Sequence, residues 1–320
     1  VSLHGDKLRS EWELTMKIGC LFVVVACVAL ALVPALMPSR EGPSALWRET
    51  VITTTEPFPW SEMYLLEVGD ADNNGTVDIA LGSGADSDSR SPQIALYQRT
   101  GATWTGGVIV SGSHTYNWIA GMEIGDADND ALNELAYGLH RQGNADGGPL
   151  LLKEWSGTEW STSTVFEGIG DWSYAHAIVD ADGDGLNEIA ASVDTYGYGR
   201  TITKPWLFEY DDGAWPNEQI SDFGDETAIP QMVAGDVDGD GVYELIRLKA
   251  LQRVGAHYVE TYSVLDWDGT WVETDITVAP SNAFPTLGRN GTYAMDTGDP
   301  DGDSVDEFVI AFWCDTDNDG

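Results

Sequence analysis

The sequence predicts an all-β protein assembled from repeated four-stranded units, and three observations carry that reading. An acidic nine-residue motif is written five times. Tryptophans recur at a near-constant interval: Trp47, Trp104, Trp160, Trp215 and Trp271 are 57, 56, 55 and 56 residues apart. Short apolar runs bounded by turn residues fill the space between, and no helical periodicity occurs beyond the N-terminal region. A fixed period of four short strands is the pattern of propeller blades, which bury their apolar faces by stacking on one another and leave only short edges exposed. The expected architecture is a β-propeller with about five blades in this chain, preceded by one hydrophobic segment.

In chain order, residues 1–15 precede Met16 and read as an upstream extension or a cytoplasmic tail. Residues 16–38 hold a nearly uninterrupted apolar run, Ile18 to Met37. This run is either a cleaved secretory signal, with Ala29-Leu-Ala31 and Val33-Pro-Ala35 as candidate cleavage sites, or a membrane anchor with Lys7, Arg9 and Lys17 on the inner side. Either reading places the rest of the chain outside the cell, secreted or anchored at the surface. Cys20 and Cys27 lie within the run and Cys314 stands apart, so neither a disulfide framework nor a zinc spacing is present. Residues 39–46 form a linker, followed by repeats at about 47–103, 104–159, 160–214, 215–270 and 271–320.

Within one repeat the strands are read from alternation and turn chemistry. For the second they are Trp104–Ile109, Ile119–Ile124, Glu134–Leu139 and Leu150–Trp155. The last four spaced tryptophans each follow an aromatic and a glycine turn (Tyr97 to Gly101, Trp155 to Gly157, Tyr210 to Gly213, Trp267 to Gly269), which predicts a hairpin. One bulky residue per unit suits packing between blades, so the spaced tryptophans are assigned to the core.

The acidic motif is the chemistry-bearing element. Asp70, Asp72, Asn74, Thr76 and Asp78 fill positions 1, 3, 5, 7 and 9 of the first copy, and Asp126, Asp128, Asp130, Leu132 and Glu134 those of the second. Asp180, Asp182, Asp184, Leu186 and Glu188 form the third, Asp236, Asp238, Asp240, Val242 and Glu244 the fourth, and Asp299, Asp301, Asp303, Val305 and Glu307 the fifth. Ca²⁺ takes six to eight oxygens at about 2.3–2.6 Å, and alternate side chains of a tight loop converge to supply them, with the carbonyl of position 7 completing the set. An EF-hand would need a bidentate Glu at position 12, where this chain has Leu81, Tyr137, Ala191, Arg247 and Ile310. The apolar runs that follow each motif read as strands instead. Position 6 is glycine in three copies but Ala131 and Ser304 in the second and fifth, where a positive φ costs about 1 kcal/mol. The third and fourth copies, with four carboxylates and the glycine, are expected to bind tightest, and about five Ca²⁺ sites are expected in all.

These motifs resemble the D-x-D-x-D-G-x-x-D/E loop of FG-GAP and VCBS repeats, found in integrin-α-like calcium-binding β-propellers, over about Trp47 to the C-terminus. The family's flanking Phe-Gly and Gly-Ala-Pro words are missing here: Gly82-Ser-Gly84, Tyr137-Gly-Leu139 and Ala191-Ser-Val193 follow the loops instead. The resemblance implies loops placed between the first two strands of each blade and a full complement of seven blades. On that basis this chain reads as truncated, and Asp315 to Gly320, only 16 residues after Asp299, as a loop.

The formal charge is −38, from 53 Asp and Glu against 15 Lys and Arg. Nineteen of the acids belong to the five motifs, so the remaining surface is acidic too. That excludes nucleic acid and anionic membrane surfaces as partners, leaving membrane contact only through the N-terminal segment. The primary functional expectation is a non-catalytic, calcium-stabilised extracellular module for adhesion or for binding a protein or glycan ligand. Aromatic residues of the loops entering each first strand either supply the candidate ligand face, opposite the acidic loops, or plug the propeller's central channel: Trp60, His114, Tyr116, Trp118, Trp172, Tyr174 and His176. A polysaccharide lyase or hydrolase and a structural spacer within a larger surface protein are the alternatives. No G-x-S-x-G or H-E-x-x-H motif supports the enzyme.

Overall fold

The computed structural model describes residues 63–84, 91–101, 103–112, 118–140, 148–168, 173–194, 203–221, 231–254, 257–278 and 292–312. The segments 1–15, 16–38 and 39–46, with Trp47 and the tail at 315–320, lie outside these residues. Among the described residues no helix occurs, so none is long and apolar enough to cross a membrane.

Among the described residues eighteen strands form five antiparallel sheets, four of four strands and one of two. The first sheet runs β1 (Met63–Gly69), β2 (Asp78–Ser83), β3 (Gln93–Thr100) and β4 (Thr103–Ser111). The second is β5 (Trp118–Gly125), β6 (Glu134–His140), β7 (Leu150–Trp155) and β8 (Trp160–Phe166). The third is β9 (Ser173–Val179), β10 (Glu188–Asp194), β11 (Thr203–Glu209) and β12 (Asn217–Gln219). The fourth is β13 (Met232–Gly235), β14 (Glu244–Val254), β15 (His257–Trp267) and β16 (Trp271–Val278), and β17 (Thr292–Gly298) pairs with β18 (Glu307–Phe312) in the fifth. Every sheet is a meander, each strand pairing with its neighbour in sequence.

The strands read from sequence are present, but their grouping differs. A boundary drawn at Trp104, Trp160 or Trp271 falls inside a sheet, because those residues lie in β4, β8 and β16, the fourth strands, and Trp215 lies just before β12. The reason is the glycine turn. Gly101, Gly157, Gly213 and Gly269 all adopt positive φ, and each turn folds the tryptophan segment back onto the third strand of the same sheet. Sequence period and sheet are one strand out of phase.

The core lies between sheets rather than within any one of them. Ile94, Leu96 and Val110 of the first sheet meet Ile119, Leu135, Tyr137 and Leu139 of the second. Leu150, Leu152 and Val165 of the second meet Ile189, Val193 and Phe208 of the third. Leu207 and Ile220 of the third meet Met232, Leu245 and Leu265 of the fourth. Trp160, Trp215 and Trp271 each pack against one of these three slabs, the inter-unit role assigned to them from their spacing.

First strands stack on first strands: β1 on β5, β5 on β9, β9 on β13, and β13 on β17. Small residues permit the approach. A Cβ on Gly69, at the end of β1, would lie 2.7 Å from Ile124 Cγ2 of β5, and one on Gly138 of β6 would overlap the carbonyl oxygen of Ser173. The stacking sets all five acidic loops at the same end of their sheets, each joining a first strand to a second.

Candidate metal centres

Each loop is held by the same hydrogen bonds. The carboxylate at position 1 accepts from the amide at position 6: Gly75 to Asp70 (2.7 Å), Ala131 to Asp126 (3.1 Å), Gly185 to Asp180 (3.0 Å), Gly241 to Asp236 (3.1 Å) and Ser304 to Asp299 (2.9 Å). The side chain at position 5 accepts from the amide at position 7, as in Leu186 to Asp184 at 2.9 Å. The geometry requires left-handed backbone at two places. Position 6 is left-handed in every loop, including Ala131 (φ 71°) and Ser304 (φ 72°). Position 4 is left-handed as well, and it is occupied only by Asn73, Asn129, Gly183, Gly239 and Gly302, the residue types that tolerate it.

These constraints turn the acids inward. Asp180, Asp182, Asp184 and Glu188 offer ligand oxygens all within 4.8 Å of one another, as do Asp70, Asp72 and Asp78, then Asp126, Asp128 and Glu134, then Asp236, Asp238 and Glu244, and Asp299, Asp301 and Asp303. Two oxygens about 2.4 Å from one ion can lie no more than about 4.8 Å apart, so each cluster has the dimensions of a shared cation.

Position 9 is the most informative. One oxygen accepts the amide of position 2: Asp78 from Ala71 (3.2 Å), Glu134 from Ala127 (2.9 Å), Glu188 from Ala181 (2.9 Å) and Glu244 from Val237 (2.7 Å). Asp78, Glu188 and Glu244 are 0%, 3% and 1% exposed, yet the second oxygen of each accepts no hydrogen bond. At position 1, Asp126 Oδ1 and Asp180 Oδ1 are in the same condition. A buried carboxylate oxygen without a donor is costly. A cation held by the neighbouring acids supplies what these atoms lack. In the protein alone, burial pushes the carboxyls of Asp78 and Glu244 up to about 7 and those of Glu134 and Glu188 up to about 8, with the neighbouring aspartates adding to the shift.

The fifth loop departs from this pattern. Position 2 is Pro300, which has no N–H to anchor position 9. Glu307 is exposed and stands outside the ligand cluster.

Two sets of residues escaped the sequence reading. Burial and neighbouring acids raise the carboxyls of Glu209 and Asp266; Asp184 and Asp182 act on Glu209, and Asp238 and Asp240 on Asp266. Glu154 contributes in the same way to Asp128. In the first sheet Gln98 takes this place and donates from Nε2 to Asp72 Oδ2. Third strands thus add a carboxylate beside the second, third and fourth loops. The signal was present, since each of these acids directly precedes the aromatic residue of its glycine turn. The second set comprises the asparagines at positions 4 and 8, which join successive loops.

Of the candidate ligand face, Trp60, His114, Tyr116 and Trp172 lie outside the described residues. Trp118 opens β5, at the end of the sheet away from the loop, and stacks on His140 with ring centroids 4.6 Å apart. Tyr174 is buried near the start of β9 and stacks on His176, whose Nε2 lies 3.0 Å from Ser192 Oγ. Burial lowers the His176 imidazole to about 3, which keeps it neutral.

Comparison with models of known protein families and with curated proteins returns no match for this chain.

Proposed function

We propose that this chain is an extracellular calcium-binding β-propeller module that serves adhesion or the capture of a protein or glycan ligand, with calcium fixing its loops. The carrying observation is the set of buried carboxylate oxygens at positions 1 and 9 that lack any donor while facing further carboxylates within 4.8 Å. The mix of side-chain oxygens on an irregular loop suits Ca²⁺ better than Mg²⁺, which demands near-octahedral geometry and keeps its waters. The acids bind the ion and the left-handed residues orient them. Burial of position 9 excludes water from one side.

A radial arrangement of the sheets is supported by three carboxylates on first strands. Burial and the charge of Asp296 on β17 push Glu67 of β1 up to about 7. Burial, Glu67 and Asp296 together raise Glu123 of β5. First strands of the first, second and fifth sheets therefore lie within electrostatic reach of one another, as blades around a common axis would.

The direct test is thermal unfolding of the full chain in Ca²⁺ and in chelator, with binding stoichiometry by calorimetry. Ligand binding to the folded state raises the melting temperature by mass action. Binding of about five equivalents with higher Tm in Ca²⁺ supports the reading, and identical melting curves would sink it. Glycan and matrix-protein arrays, probed with and without Ca²⁺, address the ligand.

A further inference from the structure

The acidic loops are not independent of one another. Asn73, at position 4 of the first loop, exchanges hydrogen bonds with Asn133, at position 8 of the second. Its Oδ1 accepts from Asn133 N at 2.7 Å and its Nδ2 donates to Asn133 O at 3.0 Å. Asn133 Nδ2 then donates to the carbonyl of Asp70, the first ligand residue of the neighbouring loop, at 3.0 Å. The arrangement repeats one sheet further on. Asn129 Oδ1 accepts from Asn187 N at 2.7 Å, Asn129 Nδ2 donates to Asn187 O at 3.1 Å, and Asn187 Nδ2 donates to Asp126 O at 2.8 Å.

The fourth and fifth loops are clasped by other means. Asp306 N donates to Asp236 O at 2.8 Å, and Asp236 N donates to Asp306 Oδ2 at 3.0 Å. The junction between the third and fourth loops has no such exchange, because Gly183 occupies position 4 and has no side chain. Its neighbour there is Val242, and Tyr243 at position 8 is 42% exposed.

We infer that cation loading is coupled along this ladder, in one block spanning the first three loops and a second block spanning the last two. The inference rests on the calcium reading above. Position 4 lies between two ligand positions, and position 8 directly precedes the ligand at position 9. The ladder therefore fixes the backbone on which ligands of both loops are mounted. A cation that orders one loop leaves less conformational freedom to be lost when the next is filled, and this is positive cooperativity without a change of fold. Coupling of this kind amounts to about 5- to 150-fold in affinity per linked pair.

The test is a Ca²⁺ titration of the chelator-stripped full chain by calorimetry, reading both stoichiometry and steepness. Two independent sets of variants break the ladder. Asn133→Ala with Asn187→Ala removes the side-chain bonds to the carbonyls of Asp70 and Asp126. Asn73→Gly with Asn129→Gly removes the complementary bonds, those exchanged with the backbone of Asn133 and Asn187, using the residue the chain itself carries at Gly183 and Gly239. Tyr243→Ala, at the junction without a ladder, is the control. The coupling predicts a Hill coefficient above one for the parent chain. It should fall toward one in both ladder-breaking variants, with the number of ions bound unchanged, and remain at the parent value in Tyr243→Ala. Equal steepness in all four proteins with about five ions bound would overturn the coupling and leave the calcium reading standing. Failure of the parent chain to bind Ca²⁺ would remove both.

Discussion

Arg247 Nη2 lies 3.0 Å from Glu273 Oε1, and both side chains are largely withdrawn from solvent. Ser221, just beyond β12 in the third sheet, donates to Glu273 Oε2 at 2.8 Å and accepts from Arg247 at 3.2 Å, so the pair ties the third sheet to the fourth. Arg247 occupies position 12 of its repeat, where the other repeats carry Leu81, Tyr137, Ala191 and Ile310. Burial alone would raise the Glu273 carboxyl, but Ser221, Arg247 and Lys249 hold it down to about 2.

Glu273→Ala should therefore cost about 3 kcal/mol, because it removes the carboxylate that balances the charge of a buried guanidinium. Replacing both partners by apolar residues of similar volume should cost far less. Urea unfolding of the single and double variants at fixed calcium measures the difference. Equal losses would mean that the pair itself, and not the unbalanced charge, carries the energy.

Calcium affinity should depend on position 9 in four loops and not in the fifth. Glu188 is buried and anchored to Ala181, whereas Glu307 is exposed and faces a proline at position 2. Glu188→Gln should weaken its site by about tenfold or more, equivalent to about 1.4 kcal/mol, while Glu307→Gln should change binding by less than about twofold. Calorimetric isotherms decide, and a comparable loss in both variants would show that burial of position 9 is irrelevant.

Ala131 carries a φ of 71° that glycine adopts without penalty. Ala131→Gly should relieve about 1 kcal/mol of left-handed strain, partly offset by the greater freedom of glycine in the unfolded chain, for a net gain of about 0.5 kcal/mol. The same change at a strand alanine that is not left-handed, such as Ala136 of β6, would destabilise. A lower melting temperature for Ala131→Gly in saturating calcium would contradict the assignment of strain.

In chelator the protein should lose stability as the pH rises from the ordinary carboxylate range to about 8. Burial raises the folded-state carboxyls of Asp78 and Glu244 to about 7 and those of Glu134 and Glu188 to about 8, from ordinary values of 3.8 and 4.5. Between those limits the folded protein holds protons that the unfolded chain has released, so stability falls as pH rises through the window. On the proposed function calcium would replace the protons, and its stabilising effect should grow over the same range. Melting temperatures in EDTA from pH 5 to pH 9 test the sign, and a flat or rising profile would refute it.

Local chemistry was legible in the sequence. Alternating carboxylates on a nine-residue loop, a glycine two to four residues after an aromatic, and apolar runs such as Ile189 to Ala191 each specify their own geometry within a few residues. Relations between strands were not. Nothing local distinguishes a tryptophan that begins one sheet from one that ends the sheet before it, and the phase emerges only when the hairpin at Gly157 folds Trp160 back onto Trp155. The third-strand acids Glu154, Glu209 and Asp266 read as surface charges because the loops they approach lie 20 or more residues earlier in the chain. Pro300 illustrates the converse. Its missing N–H is plain from the sequence, but its effect on Glu307 requires knowing that position 2 anchors position 9.

The asparagine exchange also acts as an address. Position 4 of one loop and position 8 of the next form a matched pair whose two halves lie about sixty residues apart. A duplication of the second repeat would set Asn129 against a copy of Asn133 and preserve the match. A duplication of the third would set Gly183 against a copy of Asn187, forfeiting the two hydrogen bonds that an asparagine at position 4 would make. The order of the units is thereby restricted by residues that bind no ion, and lineages that lengthen or shuffle such an array must change both halves of a junction together.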